Sequence, residues 1–418
     1  MNIKELYKIF RKHPVICTDT RNIIKGSIFF ALRGKNFNGN QFSQEAIQKG
    51  CKYAIIDQKY YYRDDSTILV KDVLEALQKL AIYHRNHLNI PIIGITGTNG
   101  KTTSKELIKC VLSTKKKCYS TKGNLNNHIG VPISILEINQ SHDIAIIEMG
   151  ANHLKEINFL CNICKPTYGV ITNIGSAHLE GFGSQQGIIN TKNELYQYIY
   201  KSNGVIFINS DDKLLIKLAK DINKITYGKK GDLEGEILNS SQFITIKSLS
   251  HTIYTNLIGE FQFYNIMLAI CIGNYFRISI QDIQKAIKNY IPKNNRSQII
   301  QTKKNTIILD AYNANPSSMK AMLLSFSKQK NKEKLCILGD MLELGKQSKK
   351  EHQKIISLCV KLKLDCYYIG KEFRKVKKET FKNKEELTKL LSTKKISNKT
   401  ILLKGSRAIE LEKLIDIL

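Results

Sequence analysis

The chain has 418 residues, 42% of them hydrophobic and 24% charged, which excludes a disordered or collagen-like chain and leaves room for roughly two to four domains. Lys and Arg number 65 against 36 Asp and Glu, a net charge of +29, but the excess is spread along the chain. No basic stripe with interleaved aromatics marks a nucleic-acid surface, so compositional drift explains the charge, which can still attract anionic ligands. Ten Cys in a chain of this length do not form a disulfide framework, and Cys161-Asn162-Ile163-Cys164 has no second CxxC or paired-His motif to complete a zinc site. The first residues have no apolar signal-peptide core, and no uncharged apolar run approaches the ~18 residues of a membrane helix. The expectation is a cytoplasmic protein with reduced thiols and no membrane span, monomeric, with no nucleic-acid partner.

Residues 27–32 and 53–56 are strand-like, with a helix expected over 43–49. They predict a small α/β domain over residues 1–88 with no phosphate loop of its own. Residues 90–95 form an apolar run into a glycine loop. A stretch of helical spacing follows, with Leu107, Ile108, Val111 and Leu112. Further short runs at 144–147, 169–172 and 205–208 end at Glu148, Asn173 and Asn209. Buried strands alternating with helices predict a parallel sheet over residues 89–295, with ligands at the carboxyl ends of its strands. A hinge is expected around 291–296. The same grammar returns at 306–309, 335–338, 366–369 and 400–403, ending at Asp310, Gly339-Asp340, Gly370 and Lys404-Gly405-Ser406-Arg407. It predicts a Rossmann-like α/β domain over residues 296–418, with surface helices at 346–354 and 371–384.

The loop Gly97-Thr98-Asn99-Gly100-Lys101-Thr102-Thr103 carries the chemistry. Glycines let backbone N–H groups turn toward phosphate oxygens, and the helix that follows adds its positive end. Lys101 can reach the outer phosphates of ATP, and the Thr102 hydroxyl can ligate Mg²⁺. The full GxxxxGK[ST] pattern needs glycine where Ile95 stands, so the loop is a shortened form; the alternative is an ordinary glycine turn. Glu148, at a strand end of the same sheet, can hold a divalent ion beside Thr102 or merely cap a helix. His178 lies in the loop Asn173-Ile174-Gly175-Ser176-Ala177-His178-Leu179-Glu180-Gly181-Phe182-Gly183, as a ligand or as a structural residue.

The shortened loop, Glu148-Met149-Gly150-Ala151-Asn152 and the Asn173–Gly183 loop, in this order, resemble the Mur ligases, ATP-dependent amino acid and peptide ligases of peptidoglycan synthesis. The resemblance covers essentially the whole chain. Asp310-Ala311-Tyr312-Asn313-Ala314-Asn315-Pro316 and Leu338-Gly339-Asp340-Met341-Leu342-Glu343-Leu344-Gly345 are similar to the branch that joins D-alanyl-D-alanine to UDP-N-acetylmuramoyl-tripeptide. The resemblance implies that the first domain holds the UDP-sugar, through the segment that includes Thr20 and Arg21. It implies that Lys101 and the loop amides hold ATP, and that Thr102 and Glu148 serve one Mg²⁺. His178 would serve a second Mg²⁺ together with Lys192, the position that the family carbamylates; Lys101, His178 and Lys192 would be catalytic. Asn126 and Asn127 match the loop beside the muramoyl-peptide. Asn265 matches an adenine contact, and Arg296, Asp310 and Tyr312 would close over the nucleotide. Gly259-Glu260-Phe261-Gln262 departs from the family's Gly-x-His-Asn.

The rival readings are a sibling that adds a single amino acid, a folylpolyglutamate synthase, and a nucleotide-dependent switch or nucleic-acid ATPase. The Asp-Asn-Pro-Arg tetrapeptide of diaminopimelate-adding siblings does not occur here, and residues 1–88 have no purpose in a folylpolyglutamate synthase.

Overall fold

The structure is a computed structural model and describes residues 1–175, 179–330 and 333–418. Among the described residues three main sheets follow one another along the chain, with a small antiparallel hairpin, Arg33–Gly34 against Phe37–Asn38, beside the first. The first is parallel, in the order Ile16–Cys17, Ile28–Phe30, Tyr53–Ile56 and Thr67–Leu69. Its helix Val73–Arg85 does not close a separate core. Leu77 and Leu80 on that helix belong to one apolar cluster with Ile28 and Ile55 on one side and Val131, Ile135 and Leu160 on the other. The Arg85 guanidinium fastens the same junction, donating to the carbonyls of Cys164, Leu88 and Lys165.

The second sheet has nine strands. From one edge they are His251–Tyr254, Thr245–Ser248, Leu233–Asn239, Lys224–Gly228, Val205–Asn209, Tyr168–Ile171, Ile92–Thr96, Ile144–Glu148 and Cys118–Ser120. Ile92–Thr96 and Ile144–Glu148 are buried at every residue, as strands covered on both faces must be. The sheet is parallel from Leu233–Asn239 to Cys118–Ser120. The two edge strands beyond it are antiparallel, a meander that the apolar-run reading did not predict. Leu233–Asn239 has one buried residue, Leu233, then alternates exposed and half-buried positions and carries two glutamates, so it offers no continuous apolar run.

The third sheet runs Gln298–Gln301, Thr306–Asp310, Thr400–Lys404, Lys334–Gly339, Cys366–Ile369, parallel except for its first strand. The expected surface helix over residues 371–384 is corrected to a single turn, Lys371–Arg374, followed by a bridge from Phe381 to Ile369. The Asn383 side chain then accepts the Glu386 N–H and starts a new helix, Lys384–Thr393, so the capping residue divides what residue type alone joined. The helix expected at 346–354 begins as a short 3₁₀ turn, Gly345–Gln347, and continues as Ser348–Lys361.

Between the second and third sheets, Asn294, Asn295 and Ser297 have φ values of 58°, 57° and 49°. Three left-handed non-glycine residues around Arg296 concentrate backbone strain at the expected hinge. All ten cysteines are free. Cys161 and Cys164 point into the core at Met149, with Sγ–Sδ distances of 3.9 and 3.8 Å, and burial pushes the Cys164 thiol up to about 12. Among the described residues no helix is long and apolar enough to cross a membrane, and no group of three or more His, Cys, Asp or Glu gathers in a metal-binding cluster.

Candidate active site

A cavity of about 950 Å³ opens where the carboxyl ends of the second and third sheets face each other. The glycine loop forms one wall. Gly97 and Gly100 have φ values of 143° and 80°. A Cβ at Gly97 would lie 2.0 Å from Thr172 Oγ1, and one at Gly100 would lie 2.6 Å from Asn265 Oδ1, so both conformation and space require glycine. Helix Lys101–Leu112 begins directly at the loop. Lys101 Nζ curls back and donates to the carbonyls of Gly97 at 2.6 Å and Thr98 at 3.2 Å. Burial lowers its pKa, while nearby Glu148 works against that shift. The ammonium thus rests on carbonyl dipoles, which phosphate oxygens at the same loop can replace.

Glu148 ends the strand beside Ile92–Thr96 and is 2% exposed. Its Oε2 accepts the Thr102 hydroxyl at 3.0 Å and its Oε1 accepts Asn126 Nδ2 at 2.9 Å. Lys105 Nζ lies 3.3 Å from Oε2, and both side chains are almost wholly buried. Burial opposes ionisation of Glu148, but the charges of Lys105, Lys101 and Arg296 and the Asn126 hydrogen bond together outweigh it and hold the carboxyl below its ordinary range. Thr102 and Glu148 are hard oxygen donors side by side on the cavity wall. They suit Mg²⁺, which keeps water and substrate phosphates in its remaining positions.

Across the cavity the third sheet contributes Arg296, Asp310 and Tyr312. The Arg296 guanidinium lies over the Tyr312 ring, 3.8 Å from its centroid, and its buried Nε has no hydrogen-bond partner. Asp310 accepts Lys404 Nζ at 2.5 Å and the Ser297 N–H at 3.0 Å. The two walls are clasped: Asn99 Nδ2 donates to Ser317 Oγ at 2.7 Å, and Asn315 Nδ2 donates to Asn99 Oδ1 at 2.8 Å. Asn315 also caps helix Pro316–Lys328, so the amino end of a second helix meets the glycine loop at Asn99.

Lys192, on helix Gln185–Lys201, lines the same cavity and is 4% exposed. Burial first, and the charge of Lys101 second, bring its ammonium down to about 7. Its Nζ sits 5.6 Å from the centre of the Phe182 ring. His178 lies outside the described residues. Asn126 and Asn127 both line the cavity, but their side chains are engaged: Asn126 on Glu148, and Asn127 on the N–H groups of Ile129 and Gly130. Asn265 accepts the Ser104 hydroxyl and donates to Gln262 Oε1, so Gln262 now orients it where a family asparagine was expected. A second cavity, about 480 Å³, adjoins Asn265 and is lined by Phe261, Tyr264, Asn209 and Asp211 among others. Thr20 and Arg21 are not in the lining of either cavity; Arg21 is exposed and pairs with Asp19 at 2.6 Å.

Sequence reading missed Lys105 and Ser104, and gave no role to Asn315 and Ser317, which lie in and just after the motif that runs from Asp310 to Pro316. Lys105 had one signal, its place one helical turn after Lys101; Ser104 is an unremarkable polar residue until the fold joins it to Asn265.

A central-domain model of the family, the Mur ligase middle domain, matches residues 95–273, and a second, the Mur ligase glutamate ligase domain, matches residues 295–407. The chain is 33% identical to UDP-N-acetylmuramoyl-tripeptide–D-alanyl-D-alanine ligase of Bacillus subtilis, over 96% of this chain and 92% of that one. Among solved structures it is similar to MurF of Acinetobacter baumannii, with a TM-score of 0.84, 30% identity, and coverage of 96% and 92%. MurF ligase of Thermotoga maritima in complex with ADP gives a TM-score of 0.83 at 28% identity, covering 96% of each chain. The chain belongs to the Mur ligase family.

Proposed function

We propose that this chain is an ATP-dependent ligase that joins D-alanyl-D-alanine to UDP-N-acetylmuramoyl-tripeptide, the last cytoplasmic peptide addition of cell-wall precursor synthesis. The observation that carries the reading is the single cavity shared by the phosphate loop, the Asn126–Asn127 loop and the strand ends of the third sheet. Near full-length similarity to ligases of that name supports it. The division of labour is residues 1–88 for the UDP-sugar, 89–295 for ATP and 296–418 for closure and the incoming dipeptide.

In this reading the tripeptide carboxylate attacks the γ-phosphorus of ATP, ADP leaves, and an acyl phosphate forms. The neutral amine of D-alanyl-D-alanine then attacks the acyl carbon, the C–N bond forms, the acyl C–O bond breaks with its electron pair leaving on phosphate, and the nitrogen gives up a proton to the departing phosphate or water. Lys101 moves from its loop carbonyls to the transferring phosphoryl oxygens. Arg296, Asp310 and Tyr312 close over the nucleotide from the opposite wall. Asn265 meets the base at the mouth of the smaller cavity. The Asn99–Asn315–Ser317 clasp keeps the walls together and water out of the anhydride. Thr102 and Glu148 would hold one Mg²⁺ and His178 and Lys192 a second, which when bound neutralise phosphate charge. Lys192 serves there as a carbamate: its neutral amine adds to CO₂, the N–C bond forms, a C=O electron pair moves to oxygen, and the amine proton goes to water. Its low ammonium pKa makes the neutral amine available at neutral pH. Thr20 and Arg21 would reach the UDP-sugar from the first domain's surface, outside the main cavity.

The test is phosphate release from ATP with UDP-muramoyl-tripeptide, with and without D-alanyl-D-alanine. Release that requires both supports the reading. Release driven by a single amino acid, or by nucleic acid, would remove it.

A further inference from the structure

Lys105 is a buried cation that no step above uses. It lies four residues after Lys101 on the same helix, is 2% exposed, and faces Glu148 from the protein side. A lysine is seldom buried without a partner, and the ion pair with Glu148 supplies one. An ionised carboxylate offers about four lone-pair positions. In Glu148 two are taken by hydrogen bonds, from Asn126 on Oε1 and from Thr102 on Oε2, and the Lys105 ammonium lies 3.3 Å from Oε2 as an ion pair. The carboxylate is therefore rotationally fixed, and much of its charge is met before any ligand arrives. Lys101 and Arg296 add further positive charge nearby.

We propose that Lys105 is a positioning residue that holds Glu148 from the buried side and makes divalent-ion binding depend on nucleotide. With the Lys105 counter-charge in place, one partly neutralised carboxylate and a threonine hydroxyl bind a free divalent ion weakly. Nucleotide phosphates supply the missing negative charge, and the ion then binds. Without the Lys105 charge, Glu148 keeps its Asn126 and Thr102 hydrogen bonds but loses its contacting counter-ion, so it meets a divalent ion with more of its charge unneutralised and captures it with no nucleotide present. This rests on the reading of Glu148 as a metal ligand.

The experiment measures Mn²⁺ binding by electron paramagnetic resonance, with and without ADP, on the full chain. Lys105→Met should bind Mn²⁺ without nucleotide at least about tenfold more tightly than wild type, and the tightening caused by ADP should shrink by a similar factor. Lys105→Arg, which keeps the charge, should behave as wild type. Lys105→Gln is the second variant should Lys105→Met not fold, with the same direction expected. Nucleotide-free Mn²⁺ affinity within about twofold of wild type in the neutral variants overturns the proposal. Glu148→Gln separates the two readings. If it abolishes Mn²⁺ binding with ADP while the Lys105 variants change nothing, the metal assignment stands and the Lys105 proposal fails. If it changes nothing, both fall.

Discussion

The second and third sheets each place a lysine and a carboxylate near the carboxyl ends of buried parallel strands, and they use them differently. In the third sheet Asp310 and Lys404 stand directly opposite each other on paired strands and form an ion pair. That pair is complete within the sheet, and Asp310 also takes the Ser297 N–H, fixing the chain just after the strained hinge. In the second sheet the carboxylate, Glu148, is paired with Lys105, and Lys101 is left on carbonyl oxygens. A cation matched to a carboxylate organises backbone. A cation resting on carbonyl dipoles is available to an anion, because a phosphate offers it full charges in place of partial ones. On the proposed function, similar architecture therefore yields a structural ion pair on one wall, the structural wall, and an available cation on the other, the reactive wall, and the difference lies in which lysine has an ionic partner.

The contrast breaks most sharply at Lys101. Lys101→Ala should lower phosphate release by roughly 10³-fold with an unchanged circular-dichroism spectrum. Activity within a few-fold of wild type would place the reactive cation elsewhere.

On the structural wall, Asp310→Ala leaves Lys404 buried and unpaired and should cost about 3 kcal/mol of stability without nucleotide. Adding Lys404→Met should recover most of that loss in urea unfolding. If the double variant is no better than the single one, the pair is not what holds this wall.

Lys192 sharpens the comparison, being a third buried lysine near the reactive wall. Lys192→Ala should lose about 100-fold in activity, and formate should restore part of it. In the metal-free protein, carbamate formed from ¹³C-bicarbonate should rise with pH through about 7, since only the neutral amine reacts and the ammonium dominates below that value. A carbamate signal absent across that range contradicts the assignment.

The smallest effect is expected at the clasp between the walls. Asn99→Ala removes two part-buried hydrogen bonds, worth about 1 kcal/mol each, and should raise the KM for ATP a few-fold at a stability cost of no more than about 2 kcal/mol. An unchanged KM would mean that the clasp does not assist closure.

The three-sheet α/β plan and most strand ends were readable from short apolar runs, because strands buried on both faces leave nearly continuous apolar segments. The backbone of the glycine loop was readable too: Gly97, Gly100, Lys101 and Thr102 lie within one short segment joining a strand to a helix. The antiparallel edge His251–Tyr254 and Thr245–Ser248 was not, since strands with one solvated face carry no such run. Pairings across distance were equally hidden. Residue spacing marks Glu148 as a strand-end acid but does not reveal that Lys105 neutralises it or that Asn126 orients it. Nor does it connect Asn99 with Ser317, 218 positions away. Local backbone geometry is encoded by neighbours in the chain, whereas the protonation and partner of a buried charge depend on what the packed sheets bring within a few ångströms, and only the folded arrangement settles that.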